Sequence, residues 1–176
     1  MSDERTLSRP VVTHGRECGA RAPVVGVRRS ARQNGGMPET TPYDLMGGEQ
    51  FFTTLVHRFY EGVAQDPVLM PMYPAADMEG AERRLRMFLM QYWGGPTTYS
   101  DERGHPRLRM RHAPYPVDDV ARDHWLDRMR EALDATMADL GLDPALEQEL
   151  WRYLVGAAIA MVNTDSSAPT TSGDAV

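Results

Sequence analysis

Lysine is absent from this 176-residue chain, and arginine supplies all 19 of its basic side chains. We read that bias as genomic base composition rather than mechanism. Cysteine is almost as scarce. A lone Cys18 excludes an intrachain disulfide and leaves no thiolate cluster for zinc or iron–sulfur chemistry. No apolar run approaches the roughly 20 residues that span a bilayer, and the N-terminus lacks the apolar core of a signal peptide, so a cytoplasmic location without a membrane span is expected. Basic charge is not in excess: 25 acidic residues against 19 basic ones give a net charge of -6, which offers no support for a nucleic-acid partner. A flavin or nicotinamide fingerprint is missing as well.

What is present fits one domain with a real core. Residues 1–40 are rich in Arg, Gly, Ser and Pro without apolar periodicity and read as a disordered tail. Arg16, Arg21, Arg28, Arg29 and Arg32 make a basic arm the second reading of that stretch. Residues 164–176, rich in Ser, Thr and Pro, read as a second disordered tail. Between them, residues 41–163 are helical in pattern throughout. Phe52, Leu55, Val56, Phe59, Tyr60 and Val63 form one stripe of a helix beginning after Gly47-Gly48. Pro67, Pro71 and Pro74 impose an extended corner. A second helix runs from about Asp77, with Met78, Ala81, Leu85, Phe88, Leu89 and Tyr92 inward, to Gly94-Gly95-Pro96. Asp118 or Asp119 caps a third helix with Ala121, Trp125, Met129, Ala132, Leu133 and Met137 inward, and Asp143-Pro144 opens a fourth. The expected fold is all-α: four main helices with short connectors.

His112 is the most informative residue. Pro106 is expected to open a helix of about two turns, which Pro114 and Pro116 then stop. The imidazole thus rides a short, stiff platform suited to presenting one nitrogen to a metal or a large cofactor. Glu102 and His105 have the Glu-x-x-His spacing of di-iron bundles, but those need two such pairs. His57, His105 and His124 read as solvent-facing or structural.

The run from Phe51 to Asn163 resembles the group II truncated haemoglobins of the actinobacterial type, the 2-over-2 globins. The most specific matches are Arg84-Leu85-Arg86-Met87-Phe88-Leu89, Gln91-Tyr92-Trp93-Gly94-Gly95-Pro96, Tyr99-Ser100, Arg103-Gly104-His105-Pro106 and Arg109-Met110-Arg111-His112-Ala113-Pro114. Arg58-Phe59-Tyr60, Tyr73-Pro74 and Trp125-Leu126 add further matches in the right order.

The resemblance implies a helical sandwich around haem b, its iron ligated by His112, with the other axial position open to dioxygen and other diatomic gases. It implies Tyr60, Tyr73 and Trp125 as hydrogen-bond donors around the gas. Ala81 stands where many globins carry a distal histidine, and Leu85 would cap the iron's distal side. Arg84, with Arg109 and Arg111, are the candidates for the haem propionates; Phe88, Tyr92, Met110 and Tyr115 would line the porphyrin. Oxygen binding, transport or scavenging is the leading expectation. Nitric oxide dioxygenation or peroxidase-like oxidation, dependent on an external reductase, is the alternative. A four-helix interaction protein without cofactor is the reading from another class.

Overall fold

The computed structural model describes residues 39–165, and Thr41 caps its first helix. Its hydroxyl accepts from the Asp44 amide at 3.2 Å while the Asp44 carboxylate accepts from the Thr41 amide at 2.9 Å. This reciprocal cap, with proline at the first position, starts the short α1 (Pro42–Leu45). In α2 (Gly48–Gln65), Phe51, Phe52, Leu55, Val56, Phe59, Tyr60 and Val63 are all buried, as their three-and-four spacing requires of a helix packed on one face. Two 3-10 turns, Met70–Met72 and Ala75–Asp77, form the proline-rich corner that follows.

Next comes α3 (Met78–Tyr92). Two glycines end it for different reasons. Gly94 takes φ 97°, a left-handed conformation disfavoured for other residues, while a Cβ on Gly95 would stand 2.7 Å from a Tyr43 ring carbon. The missing side chain lets Tyr43 close over the end of α3, where its ring stacks on Phe52 at 5.7 Å. After α4 (Thr98–Arg103) and α5 (Leu108–His112), the long helices α6 (Asp119–Leu140) and α7 (Pro144–Met161) complete the fold. Asp118 caps α6 by accepting from the Ala121 amide at 2.8 Å, and Asp143 caps α7 from Ala145 at 2.7 Å.

The α2/α3 pair and the α6/α7 pair form the two layers, with α2 lying on α6 and α5 laid against α7. Phe52, Leu55, Phe59, Met129, Leu133 and Leu150 fill the space between the layers and are essentially inaccessible to solvent. Among the described residues there is no strand, and none of the helices is long and apolar enough to cross a membrane. The all-α, 2-over-2 architecture expected from the sequence is the observed one.

Two local expectations need correction. The corner at Pro67, Pro71 and Pro74 is not extended but folds through a turn and two 3-10 segments. The platform of His112 is not a two-turn helix opened by Pro106; α5 is a five-residue turn starting at Leu108. Arg107, at φ 43°, adopts the left-handed conformation and breaks the helical path from Pro106. The readings of residues 1–38 and 166–176 as parts of disordered tails lie outside the described residues, as does Cys18.

Candidate functional site

His112 closes α5 beside a cavity of about 580 Å³ bounded by every main helix, a size in the usual range for a small-molecule or cofactor pocket. The imidazole is partly buried, and its Nδ1 lies 2.8 Å from the Leu108 carbonyl oxygen. A carbonyl only accepts, so Nδ1 carries the hydrogen, and in the neutral ring that leaves the lone pair on Nε2. That bond fixes the orientation of the ring and the nitrogen it presents. Asn163, just beyond α7, fixes the same segment. Its Nδ2 donates to the carbonyls of His112 and Tyr115 at 3.2 and 3.0 Å, and its Oδ1 accepts from the Val117 amide at 3.0 Å. The sequence offers no sign of this role, because Asn163 lies 51 residues from His112.

The corner and helices α2 and α6 supply the polar aromatics. Tyr60 from α2, Tyr73 from the corner and Trp125 from α6 all line the cavity, together with Ala81 and Leu85 of α3. The Tyr60 and Tyr73 rings meet edge to face at 5.7 Å, and Trp125 packs on Phe59 at 5.1 Å. Burial pushes the Tyr60 phenol far above its ordinary value, and the neighbouring Tyr73 pushes it the same way. Burial also raises Tyr73, against hydrogen bonding from Tyr60 and Trp125. These hydroxyls therefore stay protonated donors across the physiological range.

The expected cofactor residues divide. Arg84, Leu85, Phe88, Met110, Tyr115 and His112 line the cavity; Tyr92 and Arg109 do not. Tyr92 is half exposed and stacks at 3.9 Å on Tyr153, which takes the place in the wall expected of it. Arg84 reaches the cavity but is held by the Asp77 carboxylate through bonds of 3.1 and 2.7 Å. Arg111 is braced on the carbonyls of Pro106 and Arg103 at 2.8 and 2.9 Å, and no carboxylate pairs with it or with Arg103 among the described residues. Both line the cavity. Sequence reasoning missed Arg103, and it missed the α7 wall of Tyr153, Leu154, Ala157 and Met161. A core stripe and a cavity wall have the same period, so the pattern carried no signal to separate them.

Among the described residues, the remaining histidines are occupied elsewhere. His57 faces Glu82 at 3.2 Å, His105 accepts from the Arg107 amide at 3.3 Å, and His124 donates to Asp66 at 3.0 Å. Glu102 is held by Arg83 at 2.5 and 2.6 Å. Among the described residues no three His, Cys, Asp or Glu side chains converge on a common point. One oriented imidazole, a largely apolar chamber and guanidinium groups in its wall do not make a cage for a bare ion. They fit a planar metal-bearing group with acidic arms.

A two-layer helical sandwich enclosing such a chamber is the architecture of a globin. The Bacterial-like globin family model matches residues 41–163. A thermostable haemoglobin from the actinobacterium Thermobifida fusca is 61% identical, with a TM-score of 0.67 over 70% of this chain and 98% of that one. The group 2 truncated haemoglobin YjbI of Bacillus subtilis is 39% identical over 73% of this chain and 92% of its own length. A truncated oxygen-avid haemoglobin from Bacillus subtilis superposes with a TM-score of 0.64 at 40% identity, over 70% of this chain and 99% of that one. The chain belongs to the bacterial-like globin family and, within it, to the group II truncated haemoglobins. Membership brings haem, its iron and the binding of diatomic gases such as oxygen.

Proposed function

We propose that this globin holds dioxygen, and other diatomic gases, at a five-coordinate haem b ligated by His112, with Tyr60, Tyr73 and Trp125 as the donors around the gas. The observation that carries the proposal is one shared cavity: an imidazole tied at Nδ1 and three aromatic donors from three separate elements all border it. Cys18 stands alone, so the cysteine pair of a covalent haem attachment is lacking, which favours haem b.

Haem held here by His112 would supply an iron able to bind the gas. The chain's own groups do the rest. The Leu108 carbonyl fixes the tautomer and orientation of His112 and strengthens Nε2 as a base. Leu85 and Phe88 give the chamber an apolar wall, Met110 and Tyr115 border its mouth, and Ala81 offers no polar group there. Hydrogen bonding to the ligand therefore falls to the two phenols and the indole. In a dry site such donors hold a partly negative ligand far better than water would. Arg103 and Arg111 take the propionates, and Arg84 does so while sharing its guanidinium with Asp77. The oxygen-avid character of the Bacillus subtilis relative supports tight binding, and oxygen binding, transport or scavenging in the cytoplasm follows as the role.

The test is the absorption spectrum of the purified protein and of His112→Ala. The wild type should show a strong Soret band and a spectrum that shifts with oxygen and carbon monoxide, and the variant should lose cofactor occupancy. A variant that keeps its occupancy and its spectrum would overturn the assignment.

A further inference from the structure

We propose that Asp66 is the positioning residue of the gas site: one buried carboxylate that sets Trp125 through His124 and sets Tyr73 through the corner it organises. The inference rests on the donor roles given above to Trp125 and Tyr73. Asp66 ends α2 and is only 4% exposed. Its Oδ1 accepts from the amides of Val68 and Leu69 at 2.9 and 3.0 Å, and its own carbonyl accepts from the Met70 amide at 2.9 Å. Those bonds shape the corner from which Leu69, Met72 and Tyr73 reach the cavity.

The same carboxylate also crosses to α6. Both of its oxygens lie 3.0 Å from His124 Nδ1, which donates to them, and the buried Nε of Arg128 stands 3.6 Å away. His124 directly precedes Trp125, so this bond fixes the helix turn that aims the indole. Two of the three donors are thus referred to a single point on the end of α2, while the third, Tyr60, is carried by α2 itself.

A buried carboxylate is a poor choice for stability alone, because well-packed apolar residues serve as well or better. Its distinctive contribution is directional. It accepts simultaneously from a corner and from a neighbouring helix, which no apolar side chain can do. A shift of the indole by a fraction of an ångström is enough to weaken an N–H bond to a small ligand.

The experiment compares oxygen dissociation from the ferrous haem-loaded protein in His124→Leu, His124→Gln, Trp125→Phe and the double variant His124→Leu/Trp125→Phe. His124→Leu leaves the corner's cap untouched and breaks only the crossing to α6. It should raise the dissociation rate by about threefold to tenfold and raise the C–O stretching frequency of bound carbon monoxide. His124→Gln, whose amide can still donate to Asp66, should stay near the wild-type value. In the Trp125→Phe background the leucine substitution should add less than about a twofold change, the non-additivity of residues acting through one group. Thermal midpoints are measured alongside: a lower midpoint with unmoved rate and frequency would mean a purely structural role and overturn the proposal. If Trp125→Phe itself leaves release unchanged, the donor role beneath the proposal fails. If Trp125→Phe accelerates release and His124→Leu does not, the positioning role alone fails.

Discussion

Trp125 shows how a single atom can be isolated from the packing that carries it. Trp125→Phe removes the indole N–H and keeps an aromatic ring against Phe59. Dioxygen release should quicken about tenfold, the scale of one hydrogen bond lost in a dry site, and a stopped-flow displacement experiment reads it directly. Asn163 makes the corresponding case on the His112 side. Asn163→Ala deletes three bonds to the segment 112–117. Haem loss to an apomyoglobin-type scavenger should then accelerate about tenfold, the scale seen when outer partners of a metal ligand are removed. An unchanged rate would leave Asn163 as an ordinary helix terminus. These residues mark the limit of what the sequence discloses. That His112, Tyr60, Tyr73 and Trp125 border one cavity was legible through the family resemblance, whose matching runs carry all four. Asp66 and Asn163 were not, since their partners lie 58 and 51 residues away and nothing in their own neighbourhoods points there. Arg103 is not separable from Arg109 by sequence because both are exposed arginines in short helices, and only the fold decides which faces the chamber.

The helices themselves were readable because their apolar spacing, caps and proline stops agree with one another, the consistency expected of a sequence that specifies one fold. Asp118 and Asp143 cap as their positions imply. The exception is α5, whose start moved from Pro106 to Leu108 because Arg107 takes a backbone conformation that its residue type does not announce. Energetically the layers depend on apolar burial between α2 and α6. Leu133 is fully inaccessible there, and Leu133→Ala should cost about 2–5 kcal/mol, read as a shift in the denaturant midpoint. Four carboxyl groups held by hydrogen bonds add a pH term. Thr41 holds Asp44 below the ordinary carboxyl range, Arg84 does so for Asp77, and Arg83 for Glu102. Burial pushes Asp66 up, but hydrogen bonds from His124, Leu69 and Val68 outweigh it and the net shift is downward. A depressed carboxyl contributes its stability above the unfolded value of about 4 and loses it as pH falls through the folded value. The thermal midpoint should therefore stay nearly level as pH falls from about 7 to 5 and drop steeply below about 4. A midpoint that declines steadily from neutrality would assign acid sensitivity to other groups.

At the scale of the whole molecule, charge is distributed against its own average. The chain carries a net charge of -6, yet residues 103–117 hold four arginines and no acidic residue. Two of the four, Arg103 and Arg111, line the cavity. An anionic cofactor approaching this acidic protein is therefore repelled at long range and attracted where the chamber lies. Local positive potential of this kind raises association rates, and it weakens as the Debye length contracts from about 30 Å at 0.01 M salt to about 3 Å at 1 M. The site proposed above makes this arrangement measurable without any gas ligand. Capture of haem by the cofactor-free protein, followed by quenching of tryptophan fluorescence, should slow severalfold between low and high salt. Arg103→Gln and Arg111→Gln should each lower the low-salt rate and flatten the salt dependence, because each removes one positive charge from the approach. Arg109→Gln, at an exposed residue of the same segment that does not line the wall, should flatten the salt dependence while leaving the haem dissociation rate unchanged, so it separates attraction in solution from grip in the bound state. A capture rate indifferent to salt in the wild type would remove the arginines of this segment from the entry of the cofactor and leave apolar burial as its sole guide.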